Sequence, residues 1–398
     1  MKKSNNFAGW TITYAALGIN LFLGLLYAWG VFQKALVNDW GWSNTTASLP
    51  YTVSAAIFAF MMIFAGRAQD LFGPRIIVFI GGLIFGTGLI LSGFATSPVV
   101  MILTFGVMGG VGIGVGYSAT TPCAIKWFDP SRKGLISGIV VSGVGLAPVY
   151  IAPLTAYLLN IYGIRETFII LGVSAIVVIS LLSLILRNPP AGYVPAPANK
   201  TMRQNTSTGQ NYSWQEILRK RSFYFLWTIY LLAATAGLML IAHIASIAQT
   251  QAGWKAGFVL VVILAVFNAL GRVSMGFLSD RIGRKVSLLV VFMLQAVNMF
   301  IFTYYNSIPL LITGAAIAGL SYGSLFALFP AATADYFGMK NLGVNYGLVF
   351  TGWGIAGVIG PILGGLVVDQ TGTYTISYLV SAVLLIIGSI MVFFMKRA

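Results

Sequence analysis

Apolar stretches of about 18 or more residues, long enough to cross a bilayer as α-helices, recur along the chain between short polar segments. The pattern predicts an all-α membrane protein whose twelve transmembrane helices form two six-helix bundles. The predicted helices cover residues 7–32, 45–65, 76–95, 98–123, 134–160, 165–186, 222–250, 255–279, 286–305, 308–332, 343–368 and 374–395.

Composition supports this class, since 58% of the residues are hydrophobic and only 8% are charged, against about 25% in soluble domains. A net charge of +15 would suggest a nucleic-acid partner in a soluble protein. Here nearly all Lys and Arg residues fall in segments on one side of the membrane, as the positive-inside rule describes. We therefore predict both termini in the cytoplasm, a place in the inner (cell) membrane, and lipid rather than nucleic acid as partner. The exceptions are Lys34, Arg165, Lys255 and the intramembrane Arg272.

The residues that usually build metal or redox sites are scarce, since Cys123 and His243 are the only cysteine and histidine. A single cysteine cannot form a disulfide within the chain or a cysteine cluster for a metal. The sequence therefore predicts no cofactor and no metal site, and it disfavours an enzyme. The first apolar stretch is longer than that of a cleaved signal peptide, so we expect it to remain as a helix.

One long polar segment interrupts the apolar pattern near the middle of the chain. It is rich in Pro, Ser, Thr, Asn and Gln, a composition that does not bury enough apolar surface to fold on its own. We predict a six-helix bundle at 1–187, a cytoplasmic linker at 188–221 and a second bundle at 222–398. Within the linker, residues 214–221 predict a short surface helix.

A polar loop motif occurs once in each predicted half, and a second, looser motif pair (126–134 and 335–343) is separated by almost the same distance along the chain. The two glycines permit a tight turn, and the arginine has an aspartate or a helix end as partner. Each copy contains Gly, Asp, Gly and Arg: Gly66, Asp70, Gly73 and Arg75 in the first, and Gly276, Asp280, Gly283 and Arg284 in the second.

These loops resemble the motif that follows the second and eighth helices in the major facilitator superfamily. The resemblance covers the whole chain in helix count and repeat. It implies the major facilitator fold, with two pseudo-symmetric six-helix bundles, a substrate site at mid-depth and transport by alternating access. It also implies that the two loops act on conformation rather than on substrate.

Arg272 lies within the predicted eighth helix among apolar and small residues. A charge in the hydrocarbon region is costly and normally faces an internal cavity or a partner. All eight acidic residues fall at predicted helix ends or in loops, so none is available at this depth. Asn268 shares a helix face with Arg272. About eight residues separate Arg272 from Asp280, which places it about 12 Å into the membrane. We therefore predict an anion-binding site at Arg272 and Asn268.

The stretch from Tyr27 to Lys34 resembles the monocarboxylate transporters and the bacterial oxalate/formate antiporter group. This resemblance implies that Arg272 holds a substrate carboxylate. Oxalate-exchanging members carry a lysine in helix 11, whereas this chain has Trp353 near that position. One buried cation neutralises one carboxylate, so we predict a small monocarboxylate of the lactate or pyruvate type.

Other residues at suitable depths are predicted to line the site, because aromatic side chains with polar tips orient a small anion. They are Leu26, Tyr27, Tyr117, Tyr322, Phe326 and Phe350, together with Trp353. His243 is predicted to guard the external entrance or to admit protons. The animal relatives have an Asp at the position of Asn268 and a Lys in helix 1, and both are absent here. We therefore expect the substrate itself to carry the symported proton, and we expect a monomer.

Three other functions stay open at this point. Exchange of two carboxylates, of the oxalate/formate type, is the nearest alternative to proton symport. An anion channel is disfavoured because a fixed intramembrane arginine between two mobile halves suits alternating access. A membrane enzyme is disfavoured because no intramembrane acid and no metal-ligand cluster is predicted.

Overall fold

The computed structural model describes residues 6–190, 192–195, 211–254 and 256–395. In this part of the chain, eleven helices are long and apolar enough to cross a membrane. One of them, Pro130–Ser183, has 54 residues and would measure about 80 Å, far more than a bilayer core of about 30 Å. It is two helices, because Gly163 has a non-helical backbone with φ of 80°. The all-α prediction of twelve spans is therefore confirmed.

The spanning helices agree with the predicted segments to within several residues. Two of them change helical type along their length: α1 has a 3₁₀ segment at Gly24–Ala28, and α4 has a π-helical segment at Ile102–Gly109. In order, the helices are α1 (Phe7–Trp40), α2 (Asn44–Phe72), α3 (Pro74–Ser92), α4 (Pro98–Ile125), α5 (133–162), α6 (164–183), α7 (Arg221–Ala252), α8 (Phe258–Ile282), α9 (Arg284–Ile301), α10 (Ile308–Phe337), α11 (Leu342–Thr371) and α12 (Thr375–Phe394).

The largest difference from the predicted boundaries is at the end of α1, which continues to Trp40 instead of stopping at residue 32. Polar residues after position 32 suggested an end, but Trp29, Phe32 and Leu36 are buried at helical spacing. The indole N–H of Trp29 also donates a hydrogen bond of 2.9 Å to the Ala47 carbonyl. Tertiary packing of one helix face therefore extends α1 beyond the apolar stretch.

The contacts divide the chain into two compact units, which are described separately. Unit 1 contains residues 1–129, 143–197 and 339–348, and unit 2 contains residues 130–142, 198–338 and 349–398. Each unit thus includes a short segment from the other predicted half of the chain. The predicted domain boundaries at 187 and 221 stay a prediction, and residues 191 and 196–210 of the predicted linker lie outside the described residues.

The predicted short helix before α7 is present as Trp214–Ile217. The Ser213 side chain accepts from the Glu216 N–H, while the Ser213 N–H donates to the Glu216 carboxylate at 2.7 Å. This reciprocal pairing is a capping box, which satisfies backbone donors that a helix start leaves unpaired. Hydrogen bonds from the Ser213 backbone and hydroxyl lower the pKa of the Glu216 carboxyl.

Candidate functional site

Helices α8 and α10 approach each other closely enough to place their side chains around Arg272. A Cβ added at Gly271 would overlap the Leu320 carbonyl, and one added at Gly323 would overlap the Asn268 carbonyl. Only glycine permits this separation between the two backbones. The close packing brings the Phe326 ring of α10 against α8, with the Arg272 guanidinium carbon 4.3 Å from the ring centre.

Arg272 has no solvent exposure, and two of its nitrogens are held by fixed acceptors. Its Nε donates to Asn268 Oδ1 at 2.8 Å, so the two residues that share a helix face contact each other. Its Nη1 donates to the backbone carbonyl of Val141, in the segment of α5 that belongs to unit 2. A Cβ added at Gly138 would overlap the Arg272 carbonyl, so α5 packs directly on α8 here.

The second terminal nitrogen, Nη2, has no hydrogen-bond partner within the part of the chain that the structure describes. The same part contains no ion pair to Arg272, since its three salt bridges involve Lys133 and Arg284. A buried guanidinium with an unused donor and no counter-charge is energetically costly. An anion that reaches Nη2 would supply both the missing acceptor and the missing charge.

Aromatic side chains of α10 and α11 form one buried cluster beside Arg272 in unit 2. Trp353 lies at its centre: the indole N–H donates to the Tyr322 hydroxyl at 2.8 Å, and the ring stacks on Phe350 with centroids 4.9 Å apart. The Phe326 ring, which covers the guanidinium, lies 6.1 Å from Trp353. The structure therefore brings Arg272, Asn268 and four of the predicted lining residues together.

The second copy of the loop motif forms a buried network of four charges. Asp280 accepts the backbone N–H groups of Gly134 and Leu135 at 2.9 and 2.8 Å, at the start of α5. Arg284 pairs with Asp280 at 2.6 Å and with Asp335 at 3.0 Å. Lys133 pairs with the other oxygen of Asp335 at 2.9 Å. Two acids and two bases balance, which limits the cost of burying them.

The first copy makes the matching backbone contacts without that network. Asp70 accepts the N–H groups of Gly343 and Val344, at the start of α11, at 3.4 and 3.2 Å. Gly66 lies against Gly343 so closely that a Cβ would overlap its carbonyl, as Gly276 does with Gly134 in the second copy. Arg75 is exposed, and no carboxylate among the described residues pairs with it.

Known proteins resemble this chain over most of its length. The family model of the Major Facilitator Superfamily matches residues 6–297 and 246–398. The chain belongs to the Major Facilitator Superfamily. It is 28% identical to the oxalate:formate antiporter of Oxalobacter formigenes, covering 94% of this chain and 87% of that protein. It is 27% identical to monocarboxylate transporter 13 of Rattus norvegicus, covering 96% and 87%.

The fold is that of solved transporters of the same superfamily. The crystal structure of the human organic anion transporter MFSD10 superposes with a TM-score of 0.76, covering 98% of this chain and 99% of that one at 13% identity. The family match, the curated relatives and the apolar helices together show that this chain is a multi-pass integral membrane protein and a major facilitator transporter. The family resemblance that the loop motifs predicted is confirmed.

The remaining lining residues predicted for this transporter lie in unit 1. Tyr117 on α4 is buried and packs edge-on against Phe58 at 5.4 Å. Leu26 is buried and Tyr27 is half-buried, and both lie in the 3₁₀ segment of α1. That segment comes close to α5, since a Cβ added at Gly24 would overlap the Ala147 side chain. Their part in a substrate site stays a prediction.

His243 joins α7 to α11 within unit 2. Its Nε2 lies 2.9 Å from the Pro361 carbonyl, and because a carbonyl only accepts, Nε2 is the donor. The ring also lies 5.4 Å from the Tyr374 ring and fills the space beside Gly364. The half-buried histidine thus forms a hydrogen bond to the backbone of α11 at Pro361. Its role at the entrance stays a prediction.

Two contacts of the site could not be predicted from the sequence. The Val141 carbonyl that holds Arg272 is a backbone group, and no residue pattern identifies which carbonyl faces a distant side chain. The Tyr322–Trp353 hydrogen bond joins two residues that were each predicted, but their contact depends on the relative rotation of α10 and α11. Helix spacing alone does not determine that rotation.

Proposed function

We propose that this transporter carries small monocarboxylate anions of the lactate or pyruvate type, with Arg272 as the residue that binds the carboxylate. The observation that carries the proposal is the fully buried guanidinium, whose Nη2 has no acceptor and which has no acidic partner among the described residues. The names of two relatives, an oxalate:formate antiporter and a monocarboxylate transporter, point to the same substrate class.

The geometry around Arg272 suits a carboxylate. A guanidinium offers donors in a fixed plane, and a charged hydrogen bond is strongest where water is excluded. Nη2 is ready to donate, whereas Nη1 already donates one hydrogen bond to the Val141 carbonyl. A carboxylate therefore makes its first bond at Nη2, and the second N–H of Nη1 is the donor for a two-bond contact. Phe326 and Asn268 keep the guanidinium in place while the anion binds.

A single cation at the site favours a monoanion over a dianion. Trp353 stands near the helix-11 position where oxalate-exchanging relatives have a lysine, and its indole N–H is already used by Tyr322. A second carboxylate there would be buried without a counter-charge. The aromatic cluster instead presents apolar rings to the methyl end of a lactate or pyruvate.

Coupling to a proton is the second part of the proposal. The substrate carries the proton, because Asn268 replaces the acid that proton-coupled relatives use and makes a hydrogen bond to Arg272 instead. Exchange of two carboxylates is the alternative that the antiporter relative favours. Uptake of labelled lactate into proteoliposomes under an imposed pH gradient, without internal anion, separates the two, since only a symporter accumulates substrate there.

Membrane orientation and the loop contacts complete the proposal. The distribution of basic residues supports a cytoplasmic position for both termini, and we assign the protein as a monomer in the inner (cell) membrane. Asp70 and Asp280 then cap the cytoplasmic starts of α11 and α5 through two backbone N–H groups each. Forming and breaking these caps is the step through which the loops act on alternating access. His243 acts at the opposite end, near the external entrance.

The substrate site is tested by uptake of radiolabelled lactate, pyruvate, formate and oxalate into proteoliposomes containing Arg272→Ala or Arg272→Lys. A hydrogen bond to a charged group contributes about 1.5–3 kcal/mol, so we expect at least about a tenfold loss of lactate and pyruvate uptake. Lysine keeps the charge but not the planar pair of donors, so it should not restore transport.

Arg281→Ala is the matched control, because Arg281 lies on the same helix and also stacks on a phenylalanine, Phe277, but is exposed. It should transport at the wild-type rate. All variants should elute as single species in detergent, which shows that they are folded. Wild-type lactate uptake by Arg272→Ala would refute the site, and a preference for oxalate in the wild type would refute the monocarboxylate.

A further inference from the structure

Unit 1 contains a cavity of about 600 Å³ that the transport proposal does not use. It lies where the start of α1, the turn between α2 and α3, and the chain just after α6 come together. Phe7, Arg75, Ile76, Leu184 and Arg187 are among the residues that line it. Because the basic loops are cytoplasmic in the proposed orientation, the cavity opens where the inner leaflet meets the cytoplasm.

The charged residues that line the cavity are all basic. Arg75 and Arg187 are both exposed, and none of the lining residues of the cavity is acidic. The Arg187 carbonyl accepts from the Trp127 indole N–H at 2.9 Å, and its guanidinium lies 5.9 Å from the Trp127 ring. Trp127 therefore contacts both the backbone and the side chain of this arginine. Arg75 belongs to the loop motif, but no carboxylate in the described residues draws it away.

The walls of the cavity are apolar and face outward. Phe7 is 80% exposed and Leu184 is 53% exposed, and Ile76 is exposed beside them. Large apolar side chains at the edge of a membrane protein contact the acyl chains of lipids. A cationic centre with an apolar rim matches the two chemical parts of an anionic phospholipid, and the inner leaflet supplies such lipids.

We propose that this cavity binds an anionic phospholipid from the inner leaflet. The phosphate of the lipid interacts with Arg75 and Arg187, and its acyl chains run along Phe7, Ile76 and Leu184. The site is separate from Arg272 and does not depend on which anion is transported. It gives the exposed arginine of the first loop motif an anionic partner, which no carboxylate in the described part of the chain provides.

The test is lipid binding to the purified full-length transporter in detergent, followed by native mass spectrometry. Phosphatidylglycerol is titrated against phosphatidylcholine, for the wild type and for the Arg75→Gln/Arg187→Gln double variant. Each basic residue near an anionic surface contributes about a factor of five in affinity, so the double variant should bind phosphatidylglycerol about 25-fold more weakly. Phosphatidylcholine should bind the wild type weakly and should not distinguish the two proteins.

Arg219→Gln/Arg221→Gln is the matched control, since it removes two exposed arginines that do not line the cavity. It should keep wild-type binding of phosphatidylglycerol. Equal binding by the wild type and the cavity variant would overturn the proposal, and so would equal affinity for the two lipids. Inorganic phosphate is the third arm: if it competes with phosphatidylglycerol at equal concentration, the site binds free phosphate and not a lipid.

Discussion

The two copies of the loop motif make the same backbone contacts, but their arginines lie in different charge environments. In both, an aspartate of the motif caps the first turn of another helix, α11 or α5. A glycine of the motif lets that helix start lie against the helix that carries the motif, α2 or α8. Arg284 of the second copy is buried between two carboxylates, whereas Arg75 of the first is exposed at a cavity. The repeat therefore conserves the cap but not the ion-pair network.

The different environments of Arg284 and Arg75 accompany a difference in charge at one pair of equivalent positions in the two halves. Asp335 in the second half corresponds to Lys126 in the first, within the looser pair of motifs. Asp335 draws Arg284 inward and pairs with Lys133 as well. Lys126 has the opposite charge, and Lys126 and Arg67 both act electrostatically on Asp70. The first copy therefore has a cation at the position where the second copy has the carboxylate that pairs with Arg284.

The largest difference between the copies should come from removing each arginine. Arg284→Ala leaves Asp280 and Asp335 buried with Lys133 as the only base in the network. Breaking a buried pair in this way costs about 3–5 kcal/mol. Arg75→Ala removes an exposed charge that forms no ion pair within the described ranges, and it should change the free energy of unfolding by less than about 0.5 kcal/mol. Thermal unfolding in detergent measures both midpoints.

Two further variants check that the arginine effect is electrostatic. Arg284→Lys retains the charge and should recover part of the lost midpoint. The double variant Arg284→Ala/Asp335→Asn removes one charge of each sign and should be less destabilised than Arg284→Ala alone, since fewer buried carboxylates lack a partner. Similar midpoints for Arg284→Ala and Arg75→Ala would show that the network of unit 2 contributes nothing to stability.

How much of this asymmetry could be predicted from sequence differs between its parts. The apolar pattern predicts the spanning helices, and the repeated Gly, Asp and Arg positions predict two equivalent turns. The i, i+4 spacing brings Asn268 to Arg272, and the contact is present. These features depend on the spacing of residues that are close in sequence, and that spacing can be read directly from the chain.

The features that could not be predicted depend on contacts between distant segments. The Lys133–Asp335 pair and the Val141 carbonyl at Arg272 join residues that are far apart in sequence. The electrostatic effect of Lys126 on Asp70 likewise depends on a proximity that only the fold creates. Sequence spacing fixes neither the rotation of one helix against another nor the acceptor that a buried donor finds.

A smaller difference should appear when each capping aspartate becomes asparagine. Asp280→Asn keeps an acceptor for one backbone N–H but removes the charge that pairs with Arg284, at a cost of about 1.5–3 kcal/mol. Asp70→Asn should cost a few tenths of a kcal/mol up to about 1 kcal/mol, because asparagine caps a helix start almost as well as aspartate.

Midpoints of thermal unfolding measure the two capping substitutions, and Asp369→Asn, an exposed acid at the end of α11, serves as control. It should leave the midpoint unchanged. The ranking is the test: if Asp70→Asn lowers the midpoint as much as Asp280→Asn does, then charge is not what separates the copies, and the shorter hydrogen bonds of the second copy would have to explain it.

The smallest difference is expected at the turns themselves, where the copies share their backbone conformation. Gly73 has φ of 84° and Gly283 has φ of 91°, and a Cβ at either would meet no atom within 4 Å. Alanine at both positions is therefore opposed by backbone strain alone, about 1–3 kcal/mol. Because the strain is local, Gly73→Ala and Gly283→Ala should lower the midpoint by the same amount within error. A larger loss for Gly283→Ala would show that the turn of the second copy also positions Arg284, so that the two motifs differ in backbone requirement as well as in charge.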